Sequence, residues 1–235
     1  MKLSELFSYL TYGELSNLKV GGKECGGIYP KYSDEVLSFV KQGLTDLHTR
    51  FPLKQNEVVV QQFDHITEYV LRYKYAESNL TSTEPYKWIM DTKERPFQSD
   101  IISIEEIYDE VGNELYLNYG NQKYSIYTPA YDIVQVPYPY ADNAMAVIYK
   151  ADHPTIDLGQ YKPEDVEVEL PVVLVRALIL YVASLAHSAI GSPEGVQTGF
   201  AKMQEYQALC MELELRGVVA KENWTNEQIG GNGWV

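Results

Sequence analysis

Cysteine is scarce in this chain, with two in 235 residues. Cys25 lies in the loop Gly21-Gly22-Lys23-Glu24-Cys25-Gly26-Gly27 and Cys210 in a helical segment, and neither has a CxxC partner or a histidine at ligand spacing. That spacing argues against a disulfide framework or a zinc site and fits a reducing cytoplasm. Positive charge is also short: 19 Lys and Arg stand against 33 Asp and Glu, a net charge of -14. Affinity for nucleic acid rests on basic contacts to phosphate, so tight DNA or RNA binding is excluded as the main activity. The acidity serves solubility, or suits a protein past which DNA must move without sticking. Phenylalanine is rare beside tyrosine, 6 against 20. Tyrosine has a rigid apolar ring with a polar tip. It suits half-exposed strand positions, and equally surfaces that are wet in a free subunit and buried after assembly.

Catalytic signatures are missing as well. There is no GxSxG, P-loop, HExxH or GxGxxG, and the glycine loop at 21–27 lacks the strand–loop–helix context that phosphate binding needs. Asp64-His65 and Asp152-His153 are acid–imidazole neighbours in sequence, but a catalytic dyad needs the carboxylate to orient the ring from across a fold. Both pairs are expected at the surface or at strand edges. His187, with no ligand-type residue three or four positions away, reads as a hydrogen-bonded core residue. Acid pairs such as Glu105-Glu106 and Asp109-Glu110 are expected by chance among 33 acids. No catalytic residue, cofactor site or metal site is assigned, and the chain is not expected to be an enzyme. Its first residues, Met1-Lys2-Leu3-Ser4-Glu5-Leu6, lack the basic flank and apolar core of a signal peptide.

What is present is patterned. Leu6, Phe7, Leu10, Leu15 and Leu18 form a rough helical stripe over 4–18, with Ser4 as its cap. A second helix is predicted from Ser33-Asp34-Glu35, carrying Val36, Phe39, Val40, Leu44 and Leu47 until Phe51-Pro52. From Leu53 the hydrophobic period becomes two. Strands are predicted at 57–62, 66–71, 101–108, 114–117, 125–128, 133–136 and 144–149, with a hairpin signal at Val111-Gly112-Asn113. Such short strands suit a small antiparallel sandwich or barrel.

At Leu170 the helical period returns. Leu170–Ile190 is long enough to span a bilayer. It holds Arg176, Ser184 and His187, however, and faces a second apolar stripe, so a buried helix with no membrane partner is expected. Arg176, deep in that apolar helix, is expected in a buried ion pair between helices or between subunits. Ser192-Pro193-Glu194 caps the next helix, whose stripe is Val196, Phe200, Met203, Tyr206, Cys210 and Leu213, closed by Gly217. Val218–Val235 is too polar and glycine-rich to bury a core, yet it carries Trp224, Ile229, Trp234 and Val235, apolar anchors suited to a neighbour.

The expected fold is therefore α+β. A helical bundle comes from two N-terminal and two long C-terminal helices, residues 1–52 and 155–217. A short-stranded antiparallel β insertion occupies 53–154, and 218–235 is an extended arm.

This layout resembles the head-to-tail connector, or adaptor, proteins of the bacteriophage neck. So do the phrases Leu10, Tyr12–Leu18, Leu44–Leu53, Ala146–Pro154, Leu180–Ser184 and Ser188–Gly191. The resemblance implies a homo-oligomeric ring, usually twelve subunits, between the portal protein and the tail tube or nozzle. It also implies a virion structural protein assembled in the host cytoplasm. In such proteins the helical part builds the ring, the C-terminal arm embraces the portal, the β part faces the tail, and DNA passes through the lumen without specific binding. An alternative of another class is a glycan-binding or tail accessory module that uses surface tyrosines as sugar platforms.

Overall fold

The computed structural model describes residues 1–18, 20–22, 27–141, 143–156 and 162–217. Among these residues the chain is α+β, with four α-helices and antiparallel sheets. Helix α1 spans Leu3–Tyr12, shorter than the stripe suggested, and its cap position is Lys2 with no side-chain cap hydrogen bond. Ser4 is instead already helical. The chain turns after Tyr12, and Leu15 still reaches the core, which is why the apolar spacing ran on beyond the helix. A two-residue ribbon, β1 (Gly21–Gly22) with β2 (Gly27–Ile28), leads into α2, Pro30–Arg50. Proline at the first turn of α2 loses no helical hydrogen bond, so the helix starts three residues before the serine cap read from sequence.

The middle of the chain alternates in period two most clearly in the strands Gln55–Gln61 and Ala144–Ala151, each of which buries one face. Strands β3 (Gln55–Gln61), β5 (Ile89–Met90), β6 (Ile101–Asp109) and β9 (Ala144–Ala151) form a sheet in the order β5-β3-β9-β6. A second sheet has the order β4-β8-β7, from β4 (Glu68–Val70), β7 (Tyr127–Ala130) and β8 (Ile133–Gln135). In β9, Met145, Val147, Tyr149 and Ala151 point inward, facing Val58 and Val60 of β3. Trp88 ties the sheets together: it stacks on Tyr75 at 3.8 Å, meets Tyr69 edge-on, and donates its Nε1–H to the Val70 carbonyl at 3.0 Å. The strand predicted at 114–117 is reduced to single bridges, Tyr108 to Glu114 and Leu117 to Ile126. Asn118 takes a left-handed φ of 59°, which breaks the run.

Two helices close the chain, α3 (Val172–Ala189) and α4 (Pro193–Leu215). Pro171 is the cap residue of α3. Ser192 caps α4 by accepting the Gly195 N–H at 3.0 Å. The turn between the helices uses Gly191 at φ 73°, and Gly217 at φ 61° ends α4. Among the described residues only α3 is long and apolar enough to cross a membrane by length and composition. Here it packs against α1, α2 and α4, burying Leu174, Ala177, Leu178, Leu180, Val182, Ala183, Ser184 and Ala186.

The buried apolar residues separate into two clusters. One draws on all four helices together with Phe51, Ile156 and Val168. The other runs from Val58 to Ala151 and contains only residues of the strand region.

Candidate functional site

The α3–α4 hairpin is the most constrained helical contact. Gly195 and Gly199, one turn apart, let α4 approach α3 at backbone distance. A Cβ at Gly199 would fall 2.1 Å from Ser188 Oγ and 2.6 Å from the Ser184 carbonyl oxygen, and one at Gly195 would fall 2.8 Å from the His187 carbonyl oxygen. This small-xxx-small spacing of α4 sets its glycines against the small residues Ser184 and Ser188 of α3. Gly43 of α2 does the same on the other side, where a Cβ would meet Leu178 and Tyr181.

Because the glycines and Tyr206, Cys210 and Leu213 face inward, the outer face of α4 is left open. Val196 and Phe200, predicted to lie in the buried stripe, are exposed, Phe200 by 64%. The physical reason is that glycines at 195 and 199 hold the inward positions of those turns. Met211 and Leu215 return to the same outer face three turns later, with Leu215 89% exposed. Gln204, Gln207 and Ala208 lie between them, also exposed and uncharged. At the adjoining end of α3, Val172 and Val173 are exposed too.

Arg176 is not the buried cation expected. Its side chain is 58% exposed, and Nη1 lies 3.1 Å from Glu14 Oε1. It projects from an apolar helix toward the turn after α1, and water reaches the guanidinium. The more enclosed member is Glu14, whose other oxygen pairs with Lys202 Nζ at 3.2 Å and whose carbonyl contacts His187 Nε2 at 3.2 Å. Glu14 thus joins the end of α1 to both C-terminal helices, a role the sequence did not signal. The remaining predicted site residues, Trp224, Ile229, Trp234 and Val235, lie outside the described residues.

Where the two apolar clusters meet, His48 and His153 face each other with ring centroids 5.7 Å apart. His153, expected at the surface, is buried. Its Nε2 accepts the Glu169 N–H at 3.2 Å and its Nδ1 donates to the Pro154 carbonyl at 2.8 Å. His48 Nδ1 donates to the Ala151 carbonyl at 3.1 Å, and its buried Nε2 has no partner. Burial pushes both imidazoles below their ordinary value of 6.5.

No arrangement among the described residues resembles a catalytic constellation. A groove of about 670 Å³ beside β3 is lined by Lys54, Asn56, Asp91, Arg95, Asp100 and Tyr149. Its central carboxylate, Asp100, is already occupied by Tyr149 Oη at 2.9 Å, Asn56 Nδ2 at 3.1 Å and Lys54 Nζ at 3.4 Å. No group of three His, Cys, Asp or Glu residues able to hold a metal occurs among the described residues.

In the strand region Tyr116, Tyr119, Tyr124, Tyr131, Tyr138 and Tyr140 project to solvent. Tyr116 meets Tyr119 at 74° and Tyr124 meets Tyr138 at 66°.

No protein-family model matches the chain, and no curated protein is significantly similar to it.

Proposed function

We propose that this chain is a structural virion protein, a head-to-tail adaptor that forms a ring between portal and tail and leaves a conduit for DNA. The observation that carries the reading is the outer face of α4: a row of exposed aliphatic and aromatic side chains on a chain of net charge -14. An apolar row on a well-formed helix marks an interaction surface, and no catalytic arrangement competes with it among the described residues. In this reading residues 1–52 and 155–217 form the ring-building helical bundle and 53–154 an insertion lobe. The arm is 218–235, with Trp224, Ile229, Trp234 and Val235 as its anchors on the portal. The excess of carboxylates suits a lumen through which phosphates slide rather than stick.

Negative-stain images of the full chain mixed with its portal protein test the proposal. Rings coaxial with the portal are expected, and a chain ending at Gly217 should form the ring yet fail to attach. A protein that stays monomeric beside the portal would overturn the reading.

A further inference from the structure

We propose that His48 and His153 form an acid-released latch between the helical and strand parts of the chain, which come apart at this seam while both cores stay folded. The inference goes beyond the ring reading and does not depend on it.

The seam is thin. The two apolar clusters share no residue, and among the described residues no helix packs broadly on β3 to β9. The chain crosses from one cluster to the other twice, between Phe51 and Val58 and again between Ala151 and Ile156. Beside these crossings, a short row of polar contacts joins the C-terminal half of α2 to the end of β9. Thr45 Oγ1 donates to Asp152 Oδ2 at 2.8 Å, His48 Nδ1 to the Ala151 carbonyl at 3.1 Å, and Lys150 Nζ to the Thr49 carbonyl at 2.8 Å. Thr45 and Thr49 are exposed, so water can replace their bonds. The imidazoles are different, since both are buried. His153 stands on the second crossing itself and holds the approach to α3 by accepting the Glu169 N–H.

That arrangement decides what a proton does. Neither ring can take one as it stands: His153 Nε2 is occupied by the Glu169 N–H, and His48 Nε2 is buried with no acceptor beside it. Parting the two surfaces admits water to both rings without opening either core, and a local opening costs less than unfolding the whole. The charged groups facing the pair are Asp152, Glu169 and Lys54. The two carboxylates favour a charged ring, Lys54 opposes one at His48, and a charge on His48 opposes one on His153. Asp46 and Arg50 of α2 are turned instead to Tyr206.

Burial outweighs the carboxylates while the seam is closed, which holds both imidazoles below 6.5. Once water enters, each ring returns toward its ordinary value. The closed form is therefore fully favoured above pH 6.5 and is lost as the pH falls through that value. For each ring that gains a proton, opening becomes up to about tenfold more favourable per pH unit.

The test is amide exchange of the full chain, followed by NMR at pH 7.5 and 5.0, with each rate divided by the intrinsic rate at that pH. The Glu169 amide should lose at least about tenfold protection at pH 5.0, while Leu178 and Val182 of α3 and Val58 and Val147 of the sheet keep theirs. His48→Gln with His153→Gln can still donate to the same carbonyls but takes no proton, and should abolish the pH dependence. If that variant does not fold, the wild-type imidazole resonances decide. Their titration must coincide with the loss of Glu169 protection, and titration at a different pH overturns the latch. Core amides lost in step with Glu169 would mean that acid unfolds the chain as a whole, and would overturn it. Unchanged Glu169 protection at pH 5.0, or a loss that survives in the double variant, would do the same.

Discussion

His48 and His153 meet edge to face, at 88° between ring planes, at the junction of the helical and strand clusters. Each is fixed as the neutral tautomer with its proton on Nδ1. A second proton on His153 would displace the Glu169 N–H, and one on His48 would enter a site with no acceptor. Asp152 and Glu169 favour the charged form and Lys54 opposes it, but burial dominates at both rings.

The sign of the pH dependence follows. Both folded-state pKa values lie below the unfolded value of 6.5, so the unfolded chain binds protons that the folded chain refuses. Stability is full above pH 6.5 and falls as the pH drops through that value. Melting temperature measured between pH 7.5 and 5 should therefore decline, and His48→Phe should flatten the decline. A wild-type curve flat across this window would contradict the assignment. Asp91 and Asp109, held below the ordinary carboxylate value of 3.8, act only at lower pH.

Gly199→Ala should destabilise the fold although alanine is the better helix former. The propensity gain is at most about 1 kcal/mol. Against it, the new methyl would fall 2.6 Å from a backbone carbonyl oxygen, forcing α3 and α4 apart, and overpacking of this kind costs roughly 1–3 kcal/mol. A net loss of about 1–2 kcal/mol lowers the melting temperature by a few degrees. Gly120→Ala, with nothing within 4 Å of the new methyl, is the control and should leave it unchanged.

The alternation of hydrophobic period carried much of this architecture openly. Six of the seven predicted strands correspond to strands at or near their expected positions, and the alternation is clearest in β3 and β9, which bury alternate residues on one face. Both C-terminal helices begin and end within a few residues of their caps, since Pro171, Ser192 and Gly217 act through local chemistry alone. The failures share a cause. Val196 and Phe200 were read as inward because they are large and apolar, whereas the close approach of α4 to α3 needs the smallest residues there. Arg176 was read as buried from its neighbours in sequence, but exposure depends on what covers a helix face in space. Glu14 and the His48–His153 contact involve partners more than 100 residues apart, a separation that no local pattern encodes.

Arg176→Ala should cost under about 1 kcal/mol, because an exposed ion pair exchanges one well-solvated arrangement for another. Glu14→Ala should cost more, since it removes the partner of both Arg176 and Lys202 and leaves the less exposed Lys202 with Glu205 alone. Chemical denaturation of the two variants and the double mutant would order them. An Arg176→Ala loss of several kcal/mol would show that the guanidinium is buried in the assembled protein.

Tyr206 offers the sharpest separation of packing from hydrogen bonding. Its ring is almost fully buried on α4, lies edge-on to Tyr181 of α3, and is capped by the Arg50 guanidinium at 5.3 Å. Its hydroxyl donates to Asp46 Oδ2 of α2, which Arg50 Nε also reaches at 3.1 Å. Burial, then the hydrogen bond to Asp46, pushes the Tyr206 phenol far above its ordinary value, so it stays protonated and a donor at every working pH. Tyr206→Phe keeps the ring and removes one donor. Asp46 is partly exposed and retains Arg50, so water replaces the lost bond and the cost should be about 0.5–1.5 kcal/mol. Tyr206→Ala removes the ring from between α2, α3 and α4 and should cost about 3–5 kcal/mol through the cavity left behind. Urea unfolding of both variants separates these contributions. If Tyr206→Phe were as damaging as Tyr206→Ala, the hydrogen bond rather than the packed ring would be holding α4 onto α2.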